Sequence, residues 1–216
     1  MVIAIDGPSG SGKTSTSRRL AEKMNFYYCD SGSLYRAITY HLLNLGADLD
    51  DEDTLKKIFN TLTIDYNVES NVISLNGADV TNYLRSDIVT KSVSKVSSIK
   101  IVRDFLITSQ RELAKYNDII VDGRDIGTTV FPDADYKFYI DADIKIRARR
   151  RFNELNDRFE NHSYDQVLEM IEKRDLYDQT REHSPLKKAV DAVYVNTSEL
   201  NLEQQVNKII DSIKNN

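Results

Sequence analysis

Gly7-Pro8-Ser9-Gly10-Ser11-Gly12-Lys13-Thr14 matches the phosphate-binding loop pattern G-x-x-x-x-G-K-[ST] at every fixed position. The apolar residues 2–5 before it predict a short buried strand, and residues 15–24 after it predict a helix. Glycines in this context allow several backbone N–H groups to converge on one anion at the N-terminus of a helix. We therefore expect a nucleotide-binding loop here rather than an ordinary turn between a strand and a helix.

Two side chains of this loop suit it to a nucleoside triphosphate. The Lys13 amine is placed to reach the β and γ phosphates, and the Thr14 hydroxyl is placed to coordinate Mg²⁺. The sequence therefore predicts Mg²⁺ as a cofactor. The expected triphosphate-binding residues of the loop are Gly7, Pro8, Ser9, Gly10, Ser11, Gly12, Lys13 and Thr14.

Composition limits the partners of the chain. Its 216 residues suffice for one α/β core with small inserted lobes. The net charge of −5 provides no basic field for nucleic acid or an anionic membrane. The single Cys29 has no disulfide partner, which favours a reducing cytosol, and its place in an apolar run predicts a buried strand position. Without a targeting segment or a run near 18 apolar residues, we expect a cytoplasmic protein.

Five short apolar runs alternate with helical patterns, which predicts a three-layer α/β/α fold on a mostly parallel sheet. Residues 62–80 break this succession because they alternate with a period of two and contain the hairpin signal Asn76-Gly77. They predict a small antiparallel sheet of three strands inserted into the α/β succession. The expected core strands are residues 2–5, 26–29, 119–122, 136–140 and 192–195, and the expected helices are residues 15–24, 34–45, 51–60, 87–96, 99–115, 164–179 and 201–213.

Polar residues follow the carboxyl ends of two of these strands. Asp30-Ser31-Gly32 follows the second strand, and the third strand ends at Asp122 and is followed by Gly123-Arg124-Asp125. Ligands of doubly wound sheets gather at this edge, and an Asp that ends an apolar strand is typical of a carboxylate near Mg²⁺ or its water shell. Arg36, in the first turn of the helix expected over residues 34–45, opposes the helix dipole and is therefore a candidate phosphate ligand.

A basic segment follows the fourth core strand. On a helix, Arg147 and Arg151 share one face and repel each other unless an anion lies between them. A solvated surface or an RNA-binding face is the alternative interpretation, but the acidic net charge disfavours RNA. We favour a mobile flap that closes arginines over a triphosphate, with Arg147 and Arg151 among its contacts. The cluster comprises Arg147, Arg149, Arg150, Arg151 and Arg158.

A phosphate-binding loop on an α/β sheet fits kinases, GTPases and ATPase modules alike. The chain lacks the Asn-Lys-x-Asp motif by which switch GTPases read guanine, and it is short for a remodelling ATPase. Arginines spread over several strand-edge loops instead indicate two phosphate-bearing substrates. When the acceptor is itself a phosphate, transfer needs no general-base histidine, which agrees with the absence of a suitable one.

Four groups of residues occur in this order along the chain: 7–13; 30–32 with Tyr35-Arg36; 122–128 with 130–134; and Arg174-Asp175 with Asp178, Arg181 and 184–186. In these motifs the sequence resembles the bacterial cytidylate kinases over nearly its whole length. The resemblance implies a core sheet of order 2-3-1-4-5, an extra sheet in the monophosphate-binding lobe, a monomer and ATP as phosphoryl donor. It divides one kinase domain, 1–216, into a core (about 1–30, 99–146 and 166–216), a monophosphate-binding lobe (about 31–98) and a short basic lid (about 147–165).

The resemblance also implies roles for individual residues. Lys13, Arg124 and Arg181 would be catalytic. Arg36, Arg124 and Arg181 would bind the monophosphate of CMP. Ser98, Arg103 and Asp125 would read the cytosine, with Ser31 lining the same pocket. Arg174 and Asp178 would hold the sugar and admit ribose or deoxyribose, although at i,i+4 spacing these two side chains could also simply pair with each other.

The assignment to cytosine has independent chemical support. Cytosine presents an amino donor beside two acceptors, which a carboxylate and Arg or Ser side chains complement. Uracil would place an acceptor against Asp125 and leave buried polar groups unpaired, at about 1–3 kcal/mol. The sequence therefore favours an ATP-dependent CMP and dCMP kinase. The alternatives are a related kinase for UMP, AMP or shikimate and a nucleotide-binding module without turnover.

Overall fold

The computed structural model of the protein describes residues 1–67, 70, 72–157 and 162–215. Val68 of the expected alternating segment and Arg158 of the basic cluster lie outside these residues. The strands are β1 (Val2–Asp6), β2 (Tyr27–Asp30), β3 (Ile64–Asn67), β4 (Val72–Leu75), β5 (Ala78–Asp79), β6 (Ile119–Gly123), β7 (Tyr136–Asp141) and β8 (Val193–Asn196). The helices are α1 (Lys13–Met24), α2 (Ser31–Asn44), α3 (Glu52–Thr61), α4 (Asp87–Val96), α5 (Lys100–Ala114), α6 (Ile144–Asn156), α7 (Tyr164–Thr180) and α8 (Leu202–Lys214).

Five strands form the core sheet in the order β2-β6-β1-β7-β8. The pairs β1/β6, β1/β7 and β7/β8 are parallel. When the inserted strands β3 to β5 are left out of the numbering, this order is 2-3-1-4-5, so the predicted topology is confirmed. Because the strands run the same way, the residues that follow β1 and β6 emerge at the same edge of the sheet.

The core sheet is held by apolar side chains from both the strands and the helices that cover it. Ile5 of β1, Phe138 of β7 and Val195 of β8 are buried together with Leu20 of α1 and Ile209 of α8. These side chains lie in one continuous cluster, so α1 and α8 are fixed against the strands. Cys29 is also fully buried in β2, as predicted.

The chain divides into two compact units. The first comprises Met1–Tyr28 and Ile119–Asn216, and the second comprises Cys29–Asp118. The first contains the phosphate-binding loop with strands β1, β6, β7 and β8. The second contains α2 to α5 and the strands β3, β4 and β5. The finer division into core, monophosphate-binding lobe and lid stays a prediction.

The small sheet of the second unit has the predicted antiparallel form. Ile64 pairs with Leu75 across β3 and β4, and Leu75 pairs with Ala78 across β4 and β5. Between β4 and β5, Asn76 and Gly77 have φ angles of 48° and 79°. Asn-Gly is favoured at this turn because both residues must adopt positive φ.

One helix begins earlier than the sequence pattern indicates. Its expected start was residue 34, whereas α2 begins at Ser31. Asp30 caps it, since its carboxylate accepts hydrogen bonds from the backbone N–H and the hydroxyl of Ser33 at 3.1 and 2.7 Å. Arg36 consequently lies in the second turn of the helix, and its expected position in the first turn was wrong. Within the described residues, no helix is long and apolar enough to cross a membrane.

Candidate active site

The phosphate-binding loop depends on glycine at positions where another residue would collide with its neighbours. Gly10 and Gly12 have φ angles of 74° and 92°. A Cβ at Gly10 would lie 2.9 Å from the carbonyl oxygen of Arg147, and a Cβ at Gly7 would overlap that of Ile140. In the described part of the chain, no side chain caps the start of α1 at Gly12. The N–H groups of the first turn are thus presented to a ligand in the loop, as anion binding requires.

Lys13 and Thr14 lie where the loop passes into α1. Lys13 is buried, and its amine donates to the carbonyl oxygen of Pro8 at 3.2 Å. The Thr14 hydroxyl donates to Asp122 Oδ2 at 2.9 Å, and the Tyr28 hydroxyl donates to Asp122 Oδ1 at 2.7 Å. The structure therefore brings Asp122, at the end of β6, to the loop threonine.

Hydroxyl and carboxylate oxygens such as those of Thr14 and Asp122 are the donors that Mg²⁺ prefers. Among the residues that the structure describes, no three His, Cys, Asp or Glu side chains gather as a metal-binding group. Thr14 and Asp122 are the side chains that would hold a Mg²⁺ ion at this position. The residues present fit such an ion.

An ion pair between α6 and α7 grips the loop at Ser9. Asp175 accepts a hydrogen bond from the Ser9 N–H at 3.2 Å, and Arg147 donates to the Ser9 carbonyl oxygen at 3.1 Å. Arg147 and Asp175 also pair with each other, and Arg147 Nε donates to the carbonyl oxygen of Ala142 at 2.9 Å. Arg147, expected to contact ATP, is thus buried against the loop backbone.

The second expected ATP ligand of the basic cluster, Arg151, pairs with Glu154 at 2.9 Å. Since Arg147 and Arg151 both have carboxylate partners, their repulsion does not by itself require a bound anion. Their contacts with ATP stay a prediction.

Further support for the loop comes from Arg150 of the basic cluster and from two residues that the sequence analysis missed, Thr197 and Gln205. Arg150 donates to the carbonyl oxygen of Thr197 at 2.6 Å, and the Thr197 hydroxyl donates to that of Ser11 at 2.8 Å. The Thr16 hydroxyl donates to Gln205 at 2.6 Å. Thr197 and Gln205 are more than 180 residues from the loop along the chain. No local sequence signal marks them, because their role depends on the sheet order alone.

Asp6, the residue before Gly7, is another site residue that the sequence analysis did not predict. Its two carboxylate oxygens accept hydrogen bonds from the N–H groups of Ile126 and Gly127, both at 2.8 Å. Burial raises the pKa of Asp6 to about 7 against the opposing effect of these two hydrogen bonds. Asp6 therefore joins the start of the phosphate-binding loop to the segment that follows Arg124 and Asp125.

Beyond β6, the structure gathers five predicted substrate residues into what we call the arginine–aspartate cluster. Arg124 Nε donates to Asp178 Oδ2 at 2.8 Å, and Arg174 Nε lies 3.9 Å from the same oxygen. Arg181 Nη2 lies 3.4 Å from Asp125 Oδ1. The predicted pairing of Arg174 with Asp178 is therefore present within a larger network. The cluster comprises Arg124, Asp125, Arg174, Asp178 and Arg181.

The charges of this cluster influence one another. Burial alone would raise the pKa of Asp178, but the charges of Arg124, Arg174 and Arg181 hold it below its ordinary value. Burial and the neighbouring Arg124 charge together lower the pKa of Arg174 to about 10. The cluster contains three arginines, whose guanidinium groups suit an anionic ligand.

The remaining predicted substrate residues belong to the second unit. Arg36 donates to the Thr90 hydroxyl at 3.0 Å. Arg103 is 2% exposed, donates to the Ser97 carbonyl oxygen at 2.9 Å and lies 5.4 Å from the centre of the Tyr35 ring. The contacts of the other two are simpler: Ser31 is buried at the first position of α2, and the Ser98 hydroxyl donates to the carbonyl oxygen of Lys95 at 2.7 Å.

The sheet order and the phosphate-binding loop define the class of this protein: it has the fold of the P-loop kinases. Two solved structures share the fold. A shikimate kinase from Bacteroides thetaiotaomicron aligns with a TM-score of 0.52 and 12% identity over 99% of this chain and 98% of that one. A gluconokinase from Sinorhizobium meliloti aligns with a TM-score of 0.52 and 13% identity over 99% and 91% of the two chains.

Sequence relatives identify the family more narrowly. The cytidylate kinase family model matches residues 3–215. A cytidylate kinase from Fusobacterium nucleatum is 41% identical over 214 residues, which cover 99% of this chain and 97% of that protein. One from Caldanaerobacter subterraneus is 39% identical over 99% and 95% of the two chains. The chain belongs to the cytidylate kinase family, as its motifs predict.

Proposed function

We propose that this protein transfers the γ-phosphoryl group of ATP to CMP and dCMP, yielding ADP with CDP or dCDP. One observation carries this proposal. A complete phosphate-binding loop and the arginine–aspartate cluster lie in the same unit of a chain that belongs to the cytidylate kinase family. The loop suits a triphosphate donor, and the cluster suits an anionic acceptor. Asp175 links the two, since it binds Ser9 of the loop and lies next to Arg174 in α7.

On the donor side, the loop residues 7–14 enclose the phosphates of ATP with their N–H groups. Lys13 neutralises the charge that develops on the transferring group, and Arg147 and Arg151 are the proposed contacts from α6. Thr14 and Asp122 would hold Mg²⁺, which would supply further charge neutralisation. Because Arg147 and Asp175 hold the loop backbone at Ser9, its N–H groups need little reorganisation as the reaction proceeds.

On the acceptor side, Arg124 and Arg181 bind the monophosphate, and Asp125 accepts a hydrogen bond from the cytosine amino group. Arg174 and Asp178 hold the sugar. In the second unit, Arg36 is the proposed phosphate ligand, and Ser31, Ser98 and Arg103 are the proposed contacts of the base. These roles rest on the family resemblance and on complementarity to cytosine.

To catalyse this transfer, the protein must mainly align the two substrates and neutralise negative charge in the transition state. An oxygen of the CMP phosphate attacks the γ-phosphorus, and the bond from that phosphorus to the bridging oxygen of ADP breaks as ADP takes the electron pair. The attacking phosphate oxygen is already ionised, so no base must remove a proton. Lys13, Arg124 and Arg181 act by stabilising the spread negative charge.

The decisive experiment is an ADP-release assay with ATP, Mg²⁺ and one acceptor at a time: CMP, dCMP, UMP, AMP, GMP or shikimate. Turnover confined largely to CMP and dCMP is the expected result. Preference for another acceptor would retain the kinase and discard the cytosine assignment. Nucleotide binding with no acceptor-stimulated ADP release would overturn the proposed activity.

We further propose that the enzyme acts as a monomer in the cytoplasm and does not bind nucleic acid. The family resemblance, the single cysteine and the net charge of −5 support these assignments. Light scattering coupled to size exclusion tests the first: a mass near 24.8 kDa is expected, and a stable dimer would contradict it.

A further inference from the structure

Asp6 is a buried acid for which the proposed reaction has no chemical use. It ends β1, immediately before Gly7, and it is 3% exposed. Both of its carboxylate oxygens are engaged by backbone N–H groups, those of Ile126 and Gly127. A buried carboxylate with two such bonds fixes the segment that supplies them, because either lost bond would leave a buried N–H group without a partner.

The segment that Asp6 holds is a short, wide helical turn of the π type, Ile126–Val130. The turn is closed by hydrogen bonds from the N–H groups of Thr129 and Val130 to the carbonyl oxygen of Asp125, at 2.9 and 3.1 Å. Asp125 is thus its N-cap residue, the position at which an Asp side chain ordinarily accepts the first exposed N–H groups. Of the described residues, Asp6 rather than Asp125 supplies that side-chain acceptor.

The carboxylate of Asp125 instead faces Arg181, another member of the arginine–aspartate cluster, with Oδ1 3.4 Å from Arg181 Nη2. If the Asp125 carboxylate capped the turn, its oxygens would face the N–H groups of Ile126 and Gly127 instead of Arg181. Because Asp6 at the end of β1 takes the capping role, these N–H groups keep their acceptors while Asp125 faces Arg181.

We propose that Asp6 is a positioning residue for substrate selection, which caps the 126–130 turn in place of Asp125 and thereby directs the Asp125 carboxylate to the base of the acceptor. This inference rests on the proposed function, since it presumes that Asp125 reads cytosine. It extends that function to a residue that touches neither substrate. Loss of one Asp6 carboxylate oxygen leaves the N–H group of Ile126 or Gly127 without its acceptor, and the Asp125 carboxylate would then rotate to supply one.

The test compares Asp6→Asn with Asp135→Asn. Asp135 is a matched control, because its carboxylate also accepts a backbone N–H of β1, that of Val2 at 2.6 Å, but at the opposite, exposed end of the strand. For Asp6→Asn we expect kcat/KM for CMP to fall about tenfold or more, with a much smaller loss for UMP, so that discrimination between the bases collapses. Binding of ATP, measured by calorimetry, should change less than about threefold. Asp135→Asn should alter none of these quantities.

A double-variant cycle separates positioning from a general loss of structure. If Asp6 acts through Asp125, Asp125→Ala removes most of the CMP preference, and adding Asp6→Asn changes the remaining preference little. Equal losses for CMP and UMP in Asp6→Asn would overturn the inference. If the wild-type enzyme itself fails to prefer CMP, the proposed function fails first, and the two failures are therefore distinguishable.

A measurement on the unaltered enzyme covers the case in which Asp6→Asn does not fold. Protonation of Asp6 removes one acceptor without a substitution, and the pKa near 7 places this change in an accessible range. The ratio of kcat/KM for CMP to that for UMP should fall as the pH is lowered through about 7. Phosphate ionisation, common to both substrates, cancels in the ratio. The charged or titratable groups that face Asp6 are Asp125 and Arg124 beyond β6 and Tyr139 in β7. A ratio independent of pH would contradict the inference.

Discussion

The phosphate-binding loop and the arginine–aspartate cluster lie in the same unit but are constructed differently. The loop is eight consecutive residues whose shape depends on glycine backbone geometry, and its supports bind main-chain atoms. The cluster joins side chains 54 residues apart, such as Arg124 and Asp178, through partly buried ion pairs. A change in the loop should therefore act mainly on turnover, whereas a change in the cluster should act mainly on affinity for the acceptor.

Lys13→Ala should produce the largest effect, because it removes a charge that acts on the transferring group itself. We expect turnover to fall at least about 10²–10³-fold while the protein stays folded. Steady-state ADP release and the melting temperature measure the two quantities. Lys23→Ala is the matched control on the same helix, where the exposed amine pairs with Glu203 at 2.6 Å. Similar rates for Lys13→Ala and wild type would remove the phosphate-loop mechanism.

Asp178→Asn should show the contrasting behaviour of the cluster. Without the Asp178 charge, Arg124 loses its partner at 2.8 Å and repels Arg174. We expect KM for CMP to rise about tenfold while KM for ATP changes little, with a loss of about 1–3 kcal/mol in the free energy of unfolding.

Glu172→Gln provides the control for that variant, since Glu172 is an exposed residue of the same helix. It should leave both KM values and the stability unchanged. A loss of turnover in Asp178→Asn with unchanged KM for CMP would contradict the division of roles between loop and cluster.

Asp6 connects the two regions. Its titration should raise the stability of the fold as the pH is lowered, while the preference for CMP over UMP falls. Its pKa is about 7 in the folded protein, whereas its ordinary value is 3.8. Between these values the folded state retains a proton that the unfolded chain has lost, so this contribution to stability is present below about pH 4 and is lost as the pH rises through about 7. The loss is on the order of 4 kcal/mol at most. Urea unfolding of wild type and Asp6→Asn from pH 4 to 8 measures it, and parallel curves would show that Asp6 does not titrate in this range.

The sequence reveals the loop and the strands far better than the supports behind them. Strand β6 and the glycine-rich loop are each marked by a continuous local pattern, apolar in one case and a fixed spacing in the other. Even the five members of the cluster were predictable, but from resemblance rather than periodicity. The start of α2 was missed because capping by Asp30 overrode the apolar pattern that suggested residue 34.

Asp6, Thr197 and Gln205 could not be found in this way. Each acts through a partner more than 100 residues distant in the sequence. Their positions follow from the strand order, which places β1 beside both β6 and β7. A polar residue at the end of an apolar strand is a useful signal for such a role, but the sequence does not say which backbone groups it will meet.

Tyr28→Phe should have the smallest effect on turnover, and it tests how Asp122 is oriented beside the phosphate-binding loop. The Tyr28 hydroxyl donates to Asp122 Oδ1, while the Thr14 hydroxyl donates to Oδ2. A net hydrogen bond of about 0.5–1.5 kcal/mol is lost, so we expect the Mg²⁺ concentration for half-maximal turnover to rise about threefold to tenfold. Calorimetric titration of ATP with and without Mg²⁺ should show weaker binding only when Mg²⁺ is present.

Tyr27→Phe, one residue earlier on β2, is the control, because Tyr27 is 38% exposed. It should leave Mg²⁺ dependence unchanged. If both variants weaken ATP binding equally and regardless of Mg²⁺, the Tyr28 hydroxyl contributes to the packing of β2 and not to the orientation of Asp122. If only Tyr28→Phe shows the Mg²⁺-dependent loss, side chains support the phosphate-binding loop as well as the cluster. The two regions would then differ in what they bind and not in how they are stabilised.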